Sequence, residues 1–140
     1  MTAVGIDLGG TKIETQVFDD DWRVIARNRV ATPRDYDDLV AAVASQIAWA
    51  DGKTGVPAPV GIGAAGLINP VTGLALTANL VASGKPLPSD VAKAAGRAVT
   101  YVNDCRALAL SEAVFGAGKR HRTVMSLIMG TGIGGGIAID

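Results

Sequence analysis

Residues 3–12 limit what this chain can fold into more than any other stretch. Ala3 to Leu8 is an apolar run that reads as a buried strand, with one acid, Asp7, set inside it. A carboxylate buried without a partner is costly, so Asp7 calls for a counter-charge or a cation. Gly9 and Gly10 follow at once. They allow a tight turn and let a ligand approach the main chain. Thr11 then offers a hydroxyl and Lys12 a positive charge. Alternation resumes, with Ile13, Thr15 and Val17 on one face and Glu14, Gln16 and Phe18 on the other. The stretch is therefore a hairpin whose glycine loop can hold phosphate oxygens on backbone N–H groups. The simpler reading is an ordinary hairpin that happens to carry an acid.

Composition removes several function classes. The 140 residues suffice for one domain with a real core, and 49% are apolar. Thirteen basic side chains balance thirteen acidic ones, so nothing favours a nucleic-acid partner. The single cysteine, Cys105, excludes an internal disulfide and a four-cysteine metal site. No apolar run is long enough to span a bilayer, and no signal-like segment precedes the first strand. The expectation is a cytoplasmic protein without a membrane partner.

The remaining chain alternates strands and helices. Trp22 to Ala31 reads as a third strand, stopped by Thr32-Pro33. Asp35 can cap a helix from Tyr36 to about Ala50, whose Leu39, Val43 and Ile47 form an apolar face. Val60 to Ala65 is a short buried strand. Residues 66–88 are irregular, punctuated by Asn69-Pro70, Gly73, Asn79, Gly84 and Pro86. A loop that long inside a domain is usually functional. Ser89 is expected to cap a helix from Asp90 to Ala95. Ala98 to Val102 is another strand, and Cys105 to Phe115 a helix with the spacings Leu108/Phe115 and Leu110/Val114, ended by Gly116 and Gly118. Thr123 to Met129 and Ile137 to Asp140 flank a second glycine cluster, Gly130 to Gly136. The pattern implies an α/β fold with a largely parallel sheet and helices packed on it.

Ligands in such sheets sit beyond the carboxyl ends of the strands. Asp7-Leu8-Gly9, Ala65-Gly66 and Asn103-Asp104 all fall there. Gly130, Gly132 and Gly135 match the dinucleotide fingerprint only formally, because a strand rather than a helix follows. The cluster reads instead as a second glycine hairpin, with Thr131 placed as Thr11 is in the first. The frame of a Walker A loop is absent. Asp104 has two readings: a helix N-cap, or a general base taking a proton from a substrate hydroxyl. His121, within the basic loop Lys119 to Arg122, reads as solvated. Cys105 is expected to pack near the sheet, and Met125 and Met129 in the core.

Three segments together carry a resemblance: Asp7-Leu8-Gly9-Gly10-Thr11-Lys12, then Asn103-Asp104 with Glu112-Ala113-Val114-Phe115-Gly116, then Gly130-Thr131-Gly132-Ile133-Gly134-Gly135-Gly136. In this order they resemble the motifs of the ROK family, which groups bacterial sugar kinases with sugar-responsive repressors. The resemblance implies an actin-like ATPase, ribonuclease-H-like fold, with a mixed sheet flanked by helices in the first lobe. It implies that Asp7, Gly9, Gly10, Thr11, Lys12, Thr131 and Gly132 meet ATP, with Asp7 near Mg²⁺. It implies that Gly66, Asn79, Gly84 and Asn103 hold a sugar and that Asp104 is the base on its 6-hydroxyl. Asn79 to Leu87 and Leu110 to Ala113 look most like the N-acetyl-D-glucosamine kinases of the family, with glucokinase or fructokinase as the alternatives.

Cys105 departs from the alanine that usually follows the Asn-Asp pair. The larger departure is length. Residues 1–118 correspond to an N-terminal lobe and 119–140 to the start of a second, so the chain is expected to be the N-terminal part of a kinase. The resemblance puts the family's zinc motif, with its structural Zn²⁺, and further sugar ligands beyond residue 140. It also implies a homodimer for the complete protein. The repressors carry a DNA-binding domain before the sugar lobe, whereas here the first strand begins beside Met1, so a kinase is expected over a non-catalytic sugar sensor. Val124, Leu127, Ile128, Ile137 and Ile139 are expected to lack a partner layer, and the 140 residues alone are expected to be inactive.

Overall fold

The alternation in Lys12–Phe18 decides how the first hairpin is set. In a computed structural model describing residues 2–129 and 133–140, strand β1 (Ala3–Leu8) pairs antiparallel with β2 (Lys12–Phe18). Register places Val4 opposite Val17, Ile6 opposite Thr15 and Leu8 opposite Ile13. All six are buried. Gly5, Asp7, Glu14 and Gln16 therefore lie on the other face. β3 (Val24–Ala31) continues the meander antiparallel to β2, and Trp22 takes the turn before it with φ 61°.

Asp35 caps helix α1 (Tyr36–Thr54), accepting the amides of Asp37 and Asp38. The helix runs one turn beyond the sequence expectation and ends at Gly55, whose φ of 72° suits glycine. Its Leu39, Val43, Ile47 and Ala50 are buried with the apolar face of the sheet. β4 (Val60–Ala64) joins β1 in parallel and adds Val60, Ile62 and Ala64 to that core. Burial of each such large side chain contributes about 1.5–3 kcal/mol.

The irregular segment holds a small ladder of β5 (Leu67–Ile68) and β6 (Ala75–Leu76). Helix α2 (Leu87–Ala95) begins earlier than expected. Its cap position is Pro86, with Pro88 in the first turn, and Ser89 lies inside the helix. A proline there loses no bond, since the first amides of a helix have no partner within it. Buried Leu87 and Val91 fix the entry.

β7 (Thr100–Asn103) pairs in parallel with β4 and feeds helix α3 (Asp104–Val114) directly. The main sheet has the order β3-β2-β1-β4-β7. It is mixed rather than largely parallel: β1, β4 and β7 are parallel, and β2 and β3 run against them. α3 lies over the face opposite α1, against Gly63.

The second hairpin, β8 (Thr123–Met129) and β9 (Ile133–Ile139), packs on α3. β9 begins at Ile133, so Gly134 to Gly136 are strand residues. They lie where a side chain would collide: a Cβ on Gly136 would stand 2.1 Å from the Cys105 carbonyl oxygen. Buried Ser126 donates its hydroxyl to the same carbonyl at 2.9 Å. The expectation that the hairpin lacks a partner layer therefore fails on one face, where Val124 also packs over Gly118. Leu127, Ile137 and Ile139 do stay exposed. Met125 and Met129 were expected in the core and are 63% and 78% exposed, because they share that open face. Cys105 is buried against the hairpin rather than against the main sheet.

The apolar spacings expected for α3 do not mark its buried side. Leu110, Val114 and Phe115 are exposed, and small residues, Cys105 and Ala109, make the contact. Phe115 instead meets Trp22, ring centroids 5.2 Å apart. Among the described residues no helix is long and apolar enough to cross a membrane.

Candidate active site

Leu8, Ala64 and Asn103 stand side by side in register at the carboxyl ends of the three parallel strands. Asp104, the residue after Asn103, lines a groove of about 490 Å³ on the α3 face of the sheet. Gly5, Gly61 and Gly63 line it, so its floor is bare backbone. Asp7 and Asp104 both line it too. The acid in the first strand is thus not buried in the apolar core, as its setting implied. It is exposed on the opposite face.

Gly63 separates the two acids. It is the register partner of Asp7, and a Cβ on it would lie 3.9 Å from Asp104 Cα and 3.5 Å from Ala107 Cβ. Desolvation by the groove walls holds the Asp7 carboxyl above the usual carboxylate range. Lys12 opposes this, while Asp104 and Glu14 add to it. Such crowding of acids favours a cation beside Asp7. One carboxylate fits Mg²⁺, which takes one or two protein carboxylates and completes its shell with water and phosphate. No cluster of three metal-ligating side chains occurs among the described residues.

The glycine turn is braced from outside. Gly9 N–H donates to the Lys12 carbonyl at 3.0 Å, and Thr32 N–H to the Thr11 carbonyl at 3.1 Å. The Thr32 hydroxyl donates to the Gly9 carbonyl at 2.7 Å. Sequence reading assigned Thr32 only to the end of a strand. Its polar side chain beside Pro33 was the available signal. Lys12 and Thr11 are exposed at the turn, and Lys12 opposes the Asp7 charge electrostatically. Thr131 and Gly132 lie outside the described residues.

Asn103 and Asp104 divide the labour expected of Asp104 alone. Asn103 is the N-cap, accepting from the amides of Cys105 at 3.1 Å and Arg106 at 3.3 Å. Its Nδ2 donates to the Gly66 carbonyl at 2.8 Å and to Asp104 Oδ1 at 3.0 Å. Asp104 Oδ1 also accepts from the Cys105 amide at 2.8 Å. Both of these bonds go to Oδ1 and fix the orientation of the carboxylate, and the Cys105 thiol also hydrogen-bonds to it. Burial, and after it the charge of Asp104, pushes the Tyr101 hydroxyl up to about 12.

Asn79 and Gly84 fall on the segment between β6 and α2. That segment is closed by Gly84 N–H to the Ala75 carbonyl and Ala75 N–H to the Lys85 carbonyl, at 2.8 and 2.9 Å. Asn79 is exposed and lies against Gly10. Gly84, at φ 75°, serves the turn. Glu14 was missed as a neighbour of the site. It faces Asp7 across the hairpin, and hydrogen bonds from Arg29 and Gln16 hold its carboxyl below the usual range.

The ROK family profile matches residues 3–140. The chain belongs to the ROK family. Over 138 residues it is 43% identical to the N-acetyl-D-glucosamine kinase of Pectobacterium atrosepticum, covering 97% of this chain and 45% of the relative. Its backbone matches a ROK family glucokinase from Streptomyces griseus, solved in complex with glucose and AMPPNP. The TM-score is 0.85 at 36% identity, over 99% of this chain and 45% of that one. The ROK hexokinase from Thermus thermophilus gives a TM-score of 0.86 at 33% identity, over 99% of this chain and 47% of that one. The actin-like fold expected of the lobe is thereby established. The chain spans about half the length of the curated relatives it matches.

Proposed function

We propose that the full-length protein transfers the γ-phosphoryl group of ATP to the 6-hydroxyl of N-acetyl-D-glucosamine. The observation that carries this reading is the orientation of Asp104, a carboxylate held by the Asn103 side chain and the Cys105 amide at the in-register strand edge and lining the same groove as Asp7. Asp104 takes the sugar hydroxyl proton. Asn103 and Asp104 hold the sugar, with Gly66, Asn79 and Gly84 completing that side. Gly9, Gly10, Thr11 and Lys12, with Thr131 and Gly132, receive the phosphates on backbone amides and the lysine charge. Mg²⁺ when bound neutralises phosphate charge, and Asp7 is the residue that holds it. Phosphoryl transfer asks the protein mainly for positioning and charge stabilisation, and these side chains supply both.

We assign residues 1–118 to one lobe and 119–140 to the start of a second. We also assign the complete protein to the cytoplasm, as a homodimer with no nucleic-acid partner. Identity to named N-acetyl-D-glucosamine kinases supports the sugar. The glucokinase likeness keeps glucose as the second candidate. The test is a coupled ADP-release assay on the full-length protein with N-acetylglucosamine, glucose and fructose. The expected order puts N-acetylglucosamine highest in kcat/KM. A higher value for glucose or fructose rejects the amino sugar. Absence of turnover with every sugar rejects the kinase reading in favour of a sensor.

A further inference from the structure

Two glycines of different turns meet the same short segment. A Cβ built on Gly10 would lie 2.6 Å from the Asn79 carbonyl oxygen and 3.1 Å from Asn79 Cβ. A Cβ built on Gly66 would lie 2.6 Å from the Leu76 carbonyl oxygen and 2.7 Å from Thr77 Cβ. Contacts under 3.0 Å with backbone cannot be relieved by a rotamer change, so the segment itself would have to move. Gly66 also needs glycine for its φ of 99°. The φ of Gly10 is not in the left-handed region. Its backbone would accept alanine, and the approach of Asn79 forbids it.

We infer that Gly10 is a positioning residue for the sugar: with Gly66 it forms a two-point seat that sets where Asn79 stands. This rests on the sugar-kinase reading above and deepens it. By sequence Gly10 belongs to the phosphate turn, and its expected role there is close approach of a phosphate. The packing gives it a second role, on the sugar side. The seat continues to the base, because the Gly66 carbonyl accepts Asn103 Nδ2 at 2.8 Å. Asn79 is further held by its own amide, which donates to Thr77 Oγ1 at 3.3 Å. Phosphate turn, sugar segment and base are thus in continuous contact, and the missing side chains at Gly10 and Gly66 allow it.

The experiment compares Gly10→Ala with Gly9→Ala in the full-length protein. A Cβ on Gly9 would meet only the Lys12 carbonyl, at 3.4 Å, and lies away from Asn79. Steady-state kinetics with N-acetylglucosamine and ATP are expected to show Gly10→Ala raising the sugar KM about 10–100-fold in addition to any effect on the ATP KM, whereas Gly9→Ala leaves the sugar KM within about twofold. Gly9→Ala is expected to act on the ATP KM instead. Gly66→Ala is expected to raise the sugar KM and also to lower kcat, since it disturbs Asn103. Amide exchange supplies a readout independent of catalysis: residues 76–80 exchange faster in Gly10→Ala than in Gly9→Ala. A Gly10→Ala variant with a raised ATP KM and an unchanged sugar KM overturns the inference, and so does unchanged exchange over 76–80. Should the wild type phosphorylate no sugar, the kinase reading falls, and the exchange comparison still decides whether Gly10 seats the segment.

Discussion

Asn103 caps helix α3 and at the same time donates from Nδ2 to Asp104 Oδ1 at 3.0 Å. The cap and the candidate base are therefore separate residues, joined by one hydrogen bond. In the full-length protein, on the kinase reading, Asp104→Asn is expected to keep sugar affinity and to lower kcat by about 10²–10⁴-fold. Equilibrium sugar binding measured beside turnover checks this, and an unchanged kcat would return Asp104 to a purely structural role. Asn103→Ala is expected to differ in kind. It loses about 0.5–2 kcal/mol of helix-cap stability as well as the Asp104 contact, so its melting temperature should fall.

Asp7 carries a pH signature. Its carboxyl is raised above the ordinary value, so the folded state disfavours the charged form. For a raised acid, stability is lost as pH climbs from the unfolded value through the folded one. Asp7→Asn removes that penalty. The unliganded variant should melt above the wild type at pH 7–8, and the gap should close on acidification, vanishing below about pH 3 where both states are protonated. Activity should move the other way, with kcat/KM down about 10²–10³-fold. Melting curves from pH 3 to 8 test the sign. A variant less stable than wild type at neutral pH would contradict it.

Gly136 fixes the second hairpin to α3. A Cβ there would lie 2.1 Å from the Cys105 carbonyl oxygen and 2.7 Å from Arg106 N, all backbone. Gly136→Ala should cost about 1–3 kcal/mol and speed amide exchange at Ser126. Leu127→Ser, on the open face, should stay within about 0.5 kcal/mol in the 140-residue chain. Denaturant melts of both variants separate a docked hairpin from a loosely attached one.

Arg97 ties the end of α1 to the entry of β4. Its Nη1 meets Asp51 Oδ1 at 2.8 Å, and its Nη2 donates to the Ala58 carbonyl. Arg97→Ala should destabilise by about 1–3 kcal/mol, because a half-buried carbonyl and a carboxylate lose a charged donor together. Urea unfolding gives the value, and kinetic constants of the full-length variant should not change, since Arg97 is remote from the groove.

The local code of this chain was legible. Alternation in Ile13 to Phe18 set the hairpin, Asp35 marked the start of α1, and the positions of Gly9-Gly10 and Asn103-Asp104 marked the strand edge near which the acids lie. Each of these signals acts over a few residues, through backbone sterics and near-neighbour hydrogen bonds, so sequence suffices to read it. Only tertiary structure decided which side of each element would be covered. A period of two says that Asp7 and Ile6 point apart, not which of them faces the helices. The same gap misplaced Met125 and Met129, and it hid that α3 is buried through Cys105 and Ala109. It also left Ser89 as the expected start of α2, where burial of Leu87 begins the helix earlier. The seating of Asn79 on Gly10 joins residues nearly seventy positions apart. No local signal carries such a contact, because it depends on the sheet bringing β1 beside the segment that follows β6.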